Sequence, residues 1–178
     1  MTPRAVLIGL PGTGKTTTGR RLATKLTLPF ADSDALVETR AGRSVQEVFA
    51  TDGETAFRDL EADVIREALA GFGGVLALGG GAVLTDSTRA ALVSSGVPVV
   101  LLRSSVRTLN RRVGDGRGRP LLAGNPYARL SALAAAREPL YRQLATHVVT
   151  TDRRSSSRVA IEIAGLLGYE IKRGSVPS

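Results

Sequence analysis

The chain has 178 residues, enough for one domain with a sizeable core. Its 43% hydrophobic and 22% charged content excludes disordered and fibrous classes, the lack of cysteine excludes disulfide scaffolds and thiol catalysis, and a single histidine, His147, excludes a multi-histidine metal site. The formal net charge of +8 has two compatible readings, a bias toward Arg and Ala or arginines converging on anionic small molecules that guanidinium grips in bidentate fashion. Nucleic-acid binding fits less well, because basic and acidic residues are interspersed and only four Phe and three Tyr are available for base stacking.

The first apolar run, Ala5-Val6-Leu7-Ile8, is predicted as a strand. It is too short for a signal-peptide core or a membrane span, so a cytoplasmic enzyme is expected. Directly behind it stands GLPGTGKTTT, Gly9 to Thr18, in which Gly9, Gly14, Lys15 and Thr16 complete the G-x-x-x-x-G-K-[ST] pattern ahead of a helix predicted over 15–26. Glycines let backbone N–H groups approach phosphate oxygens, and the helix adds its positive end. Lys15 reaches the β- and γ-phosphates, while the Thr16 hydroxyl is placed to ligate Mg²⁺. The loop therefore holds a nucleoside triphosphate, with Gly12, Thr13, Gly14, Lys15, Thr16 and Thr17 as its ATP-binding residues.

A second strand, predicted over 28–31, runs into Asp32 and Asp34, at the carboxyl end of the sheet where ligands gather. One carboxylate suits a metal-bound water and the other an alcohol hydrogen bond; alternatively, Asp34 caps the helix predicted over 34–41. Helices over 44–49 and 54–70 follow. The second places Phe57, Leu60, Val64 and Leu69 on a core stripe and leaves Arg58 beside Glu61, either as an anion receptor oriented by a glutamate or as a solvated pair. A strand over 75–78 ends in Gly79, Gly80 and Gly81, which suit either close approach of an oxygen-rich substrate or a bare tight turn.

Beyond this come a helix over 87–95, a strand over 97–102, a helix over 106–113, a Gly- and Pro-rich stretch over 114–126, and a helix over 126–144 that carries Tyr127, Arg137 and Tyr141. The tyrosines are read as packing residues. A strand over 146–149, containing His147 as an ordinary strand residue, and a helix over 155–167 complete the pattern. Strand-length runs alternating with helices predict a parallel sheet with crossover helices, and the absence of clean alternation predicts strands buried on both faces. One domain over 1–170 is expected, with 171–178 as a flexible tail.

In order along the chain, GLPGTGKTTTGRRLA, DSD, GRSVQEVFATDGETAFRDLE, LALGGGAV, RPLLAG, REPLY and TDRR resemble the shikimate kinases of the nucleoside monophosphate kinase-like P-loop group. The resemblance implies a three-layer α/β/α P-loop kinase with a central five-stranded parallel sheet and a mobile lid at about 114–124. It implies a monomeric enzyme that transfers phosphate from ATP, with Mg²⁺, to the 3-hydroxyl of shikimate, a step toward chorismate and the aromatic amino acids. By this likeness Lys15, Asp34 and Arg119 are catalytic. Asp34, Arg58, Gly79, Gly80, Gly81 and Arg137 bind shikimate, with Phe49 and Phe57 as the apolar wall. Arg112 and Arg154 flank the adenine, Arg119 is the lid arginine, Thr16 holds Mg²⁺ directly and Asp32 holds it through water. Arg117 competes with Arg119 for the phosphate role and Arg153 with Arg154 for the adenine. The competing acceptors are gluconate and nucleotides; the reading from another class is a nucleotide-dependent regulatory module or a nucleic-acid-associated NTPase.

Overall fold

The computed structural model describes residues 1–113 and 125–170. The elements run β1 (Ala5–Ile8), α1 (Lys15–Leu26), β2 (Phe30–Asp32), α2 (Ser33–Ala41), α3 (Val45–Gly71), β3 (Val75–Ala77), a 3₁₀ turn (Ala82–Leu84), α4 (Asp86–Ser95), β4 (Val99–Arg103), α5 (Val106–Val113), α6 (Pro126–Leu144), β5 (His147–Thr150) and α7 (Ser156–Leu166). The expected lid over 114–124, with Arg117 and Arg119, and the expected tail over 171–178 lie outside the described residues.

All five strands are parallel, in the order β2-β3-β1-β4-β5. Leu7 of the central β1 stands opposite Ala77 on one side and Val100 on the other. Successive side chains along a strand point to opposite faces, and the core divides accordingly. Val6, Ile8, Leu76, Leu78, Val99 and Leu101 pack with α3, α4 and α6, whereas Ala5, Leu7, Val75, Ala77, Val100 and Leu102 pack with α1 and α7. Each fully buried Leu in these layers contributes about 1.5–3 kcal/mol relative to exposure. Among the described residues no helix is long and apolar enough to cross a membrane.

The strands are not all buried on both faces as expected. β2 and β5 are the sheet edges; β2 is half-buried along its length, and Val148 of β5 is 48% exposed. β2 also begins two residues later than the expected 28. Thr27 adopts a left-handed conformation at the end of α1 and the Leu28 N–H still donates to the Ala23 carbonyl, so the turn uses residues assigned to the strand.

The two helices expected over 44–49 and 54–70 form α3, broken at Gly53, whose φ of 84° and ψ of 173° leave the helical region. Ser44 and Glu47 form a capping box at its start: the Glu47 N–H donates to Ser44 Oγ, and the Ser44 N–H donates to the Glu47 carboxylate at 2.7 Å. This fixes the entry of the segment that carries Phe49, Phe57 and Arg58.

Candidate active site

A cleft of about 1190 Å³ runs along the carboxyl ends of the strands. The sheet order divides it. The loop between β1 and α1 lies at the centre, residues following β2 and β3 lie to one side, and residues following β4 and β5 lie to the other.

Gly14 caps α1 with φ 89°, a conformation that favours glycine, and a β-carbon on Gly9 would overlap the Leu102 carbonyl of β4. Glycine therefore permits both the turn and its close packing on the sheet. Thr13 is buried and donates to the Leu10 carbonyl at 2.8 Å. Lys15 Nζ donates to the carbonyls of Gly9 at 2.7 Å and Leu10 at 3.1 Å, which holds the ammonium over the loop. Gly12, Thr16 and Thr17 complete this part of the wall.

On the β2 side the strand ends at Asp32, whose carboxylate accepts from Thr16 Oγ1 at 2.7 Å and from the Asp34 N–H at 3.1 Å. The helix cap is thus Asp32, not the Asp34 considered from sequence, and the Asp34 side chain is left to the cleft. Asp34 is open to solvent along the cleft but crowded by protein elsewhere. That partial burial and the neighbouring Asp32 carboxylate hold its pKa above the ordinary carboxylate value, against the opposing pull of Lys15.

Arg58 Nη1 pairs with Glu61 Oε2 at 2.6 Å, and Glu61 is 1% exposed. Burial raises the Glu61 pKa, with the Arg58 charge opposing it. The Arg58 guanidinium carbon lies 5.1 Å from the Phe57 ring centroid and 5.9 Å from that of Phe49, and the two rings are 4.3 Å apart. Of the two readings of Arg58, the structure favours the oriented cation: it is half-buried on an aromatic floor, paired with the buried Glu61, with a longer contact from Nη2 to the exposed Glu54 at 3.4 Å.

Two of the three glycines after β3, Gly79 and Gly81, make room for these side chains, and Gly80 makes room for Pro11 of the phosphate loop. A β-carbon on Gly79 would come 2.7 Å from oxygens of both Asp34 and Glu61, and one on Gly81 would overlap the Arg58 guanidinium. The Gly79 N–H donates to the buried Ser33 Oγ at 2.8 Å. From α6, Arg137, 5% exposed, donates to the Gly80 carbonyl at 2.9 Å, and the Tyr141 hydroxyl donates to the same oxygen at 2.6 Å.

Across the loop, Arg112 of α5 and Arg154 after β5 line the other end of the cleft. Arg154 donates to the Thr150 carbonyl at 3.1 Å and pairs with Glu162. Arg153 is exposed, and of these two arginines the cleft is lined by Arg154.

The structure thus brings together every expected site residue it describes. Sequence reasoning missed Ser33 and Thr151, and the hydroxyl bond of Tyr141 to Gly80. Tyr141 packs in the core as expected, 1% exposed, and its hydroxyl, one helical turn beyond Arg137, adds the bond to Gly80. Tyr127, for which packing is also expected, is instead 53% exposed.

Fold and cleft together place the chain among the P-loop phosphotransferases that act on small molecules. Comparison with known proteins narrows the class. The family model for shikimate kinase matches residues 11–167, and the chain belongs to the shikimate kinase family. It is 51% identical over 162 residues to a shikimate kinase of Thermobifida fusca, covering 91% of this chain and 93% of that one. A solved shikimate kinase from Acinetobacter baumannii in complex with shikimate superposes with a TM-score of 0.88 at 34% identity, covering 97% of this chain and 96% of the other. A gluconokinase from Sinorhizobium meliloti has a TM-score of 0.64 at 20% identity, over 94% of this chain and 92% of that one, a likeness of fold alone.

Proposed function

We propose that the chain transfers the γ-phosphoryl group of ATP to the 3-hydroxyl of shikimate, giving shikimate 3-phosphate and ADP for aromatic amino-acid biosynthesis. The observation that carries this reading is the division of the cleft: the triphosphate loop sits between an acid- and arginine-lined pocket after β2 and β3 and a separate wall after β4 and β5. A triphosphate held at the centre aims its terminal group at the first and leaves the nucleoside at the second.

In this reading, backbone N–H groups over Gly12 to Thr17 bind the phosphates, and Lys15 turns from the loop carbonyls to the β- and γ-oxygens. Arg58 and Arg137 bind the substrate carboxylate, with Glu61 fixing Arg58 and the Gly80 carbonyl fixing Arg137. Phe49 and Phe57 face the ring, and Gly79 to Gly81 form its other wall. Asp34 accepts the hydrogen bond of the acceptor hydroxyl, and its raised pKa suits it to take the proton. Arg112 and Arg154 flank the adenine.

Thr16 and Asp32 fit a hard cation, since their two oxygens meet at 2.7 Å beside the phosphate loop and Mg²⁺ takes few protein ligands beyond phosphates and water. Thr16 would hold it directly and Asp32 through water. When bound, Mg²⁺ neutralises charge on the β- and γ-phosphates. By its likeness to shikimate kinases, the chain works in this reading as a monomer in the cytoplasm.

The test is to incubate the protein with ATP, Mg²⁺ and shikimate and locate the new phosphate by ³¹P–¹H correlation. Coupling to the ring proton at carbon 3 is the expected result; a phosphate on another oxygen, or inorganic phosphate alone, refutes the reading.

A further inference from the structure

The wall after β4 and β5 is organised around Arg112. Its Nη1 donates to Thr151 Oγ1 at 3.0 Å, to Ser104 Oγ at 3.2 Å and to the Gly12 carbonyl at 3.4 Å, and its Nη2 donates to the Thr151 carbonyl at 2.7 Å. One guanidinium thus ties together the phosphate loop and the loops after both strands. Thr151 is 3% exposed, and its hydroxyl lies 2.6 Å from Ser104 Oγ.

The loops do not depend on the Thr151 hydroxyl for their own backbone bonds. The Thr151 N–H donates to the Arg103 carbonyl at 2.8 Å, and the Ser105 N–H donates to Asp152 at 3.0 Å. The hydroxyl is directed at Arg112 and Ser104.

We infer that Thr151 is a positioning residue for the nucleotide: by holding Arg112 in one rotamer, it sets affinity for the nucleoside end of ATP and leaves acceptor binding untouched. An arginine free in solvent must give up much rotamer freedom when a ligand docks; one fixed beforehand by several acceptors has already done so. With its Nη edges occupied, Arg112 offers the nucleotide its charge and its planar face, the part of guanidinium that stacks on aromatic rings. This inference rests on the reading of the cleft as an ATP site.

The test is ATP binding by calorimetry, with KM for ATP and for shikimate, on the wild type, Thr151→Val, Thr151→Ser, Arg112→Ala and the Thr151→Val/Arg112→Ala double variant. Thr151→Val is expected to weaken ATP binding about three- to tenfold and to leave KM for shikimate within about twofold. Thr151→Ser, which keeps the oxygen, is expected to bind ATP as the wild type does, and Thr151→Val is expected to add nothing in the Arg112→Ala background. Should Thr151→Val fail to fold, Ser104→Ala removes the neighbouring acceptor and is expected to weaken ATP binding in the same direction. Equal ATP affinity in wild type and Thr151→Val, or a parallel rise in KM for shikimate, overturns the positioning role while the ATP reading stands. A wild type that binds no ATP overturns both.

Discussion

Asp34 and Glu61 converge on one point: an oxygen of each carboxylate lies 2.7 Å from where a β-carbon on Gly79 would stand. Real β-carbons do not approach oxygens so closely, so Gly79→Ala must displace at least one of the two acids. Glu61 in turn holds Arg58, and Asp34 lines the cleft. The expected outcome is a destabilisation of about 1–3 kcal/mol and a kcat/KM for shikimate at least tenfold lower, read by thermal unfolding and steady-state kinetics. KM for ATP is expected to change little, because Gly79 follows β3 on the side of the phosphate loop that the proposal gives to the acceptor.

Arg58→Lys keeps the charge but loses the planar fork. Lysine has one ammonium where arginine has two Nη groups, of which Nη1 pairs with the buried Glu61 and Nη2 reaches Glu54, and in the proposed site it offers the substrate carboxylate no planar fork. KM for shikimate is expected to rise by the equivalent of roughly 1–3 kcal/mol, with KM for ATP unchanged. An unchanged KM for shikimate removes Arg58 from the acceptor site.

Tyr141→Phe deletes one of the two donors to the Gly80 carbonyl and leaves Arg137 as the other. Burial pushes the phenol up to about 12, so it remains a donor across the working pH range. The variant is expected to lose about 0.5–1.5 kcal/mol of stability and to raise KM for shikimate, by the same factor at pH 6 and at pH 9.

How much of this was legible beforehand follows from how local each signal is. The phosphate loop lies in one contiguous stretch whose spacing is the function, so Gly9, Gly14, Lys15 and Thr16 could be read directly. The order of strands and helices was legible from apolar runs, because the layers of a parallel sheet require them. The edge positions of β2 and β5 were not, since strand order is set by long-range pairing that leaves no mark in either run. Arg58 beside Glu61 was visible as a helical pair, but whether it was buried depended on the distant glycines after β3. The Gly12, Ser104 and Thr151 acceptors of Arg112 come from three separate loops, and no spacing in the chain connects them.

Asp34 links activity to stability through pH. Its pKa in the folded protein lies above its ordinary value of 3.8, so between those two values the folded state binds more protons than the unfolded chain. Stability therefore falls as pH rises through that window and stays lower above it. Asn does not ionise. In nucleotide- and magnesium-free buffer, Asp34→Asn is expected to show a higher thermal midpoint than the wild type at pH 7, with the gain fading below about pH 4. Turnover is expected to collapse. A lower midpoint at pH 7 contradicts the electrostatic assignment.

The most direct measurement is ADP release with ATP and Mg²⁺ across three acceptors, shikimate, gluconate and a nucleoside monophosphate, each against ATP alone. The expected result is ADP formation that depends on shikimate and saturates with it, with gluconate and the nucleotide at the background rate. ADP release driven by gluconate or by the nucleotide, and indifferent to shikimate, contradicts the assignment of Arg58, Arg137 and Asp34 to a ring-acid pocket.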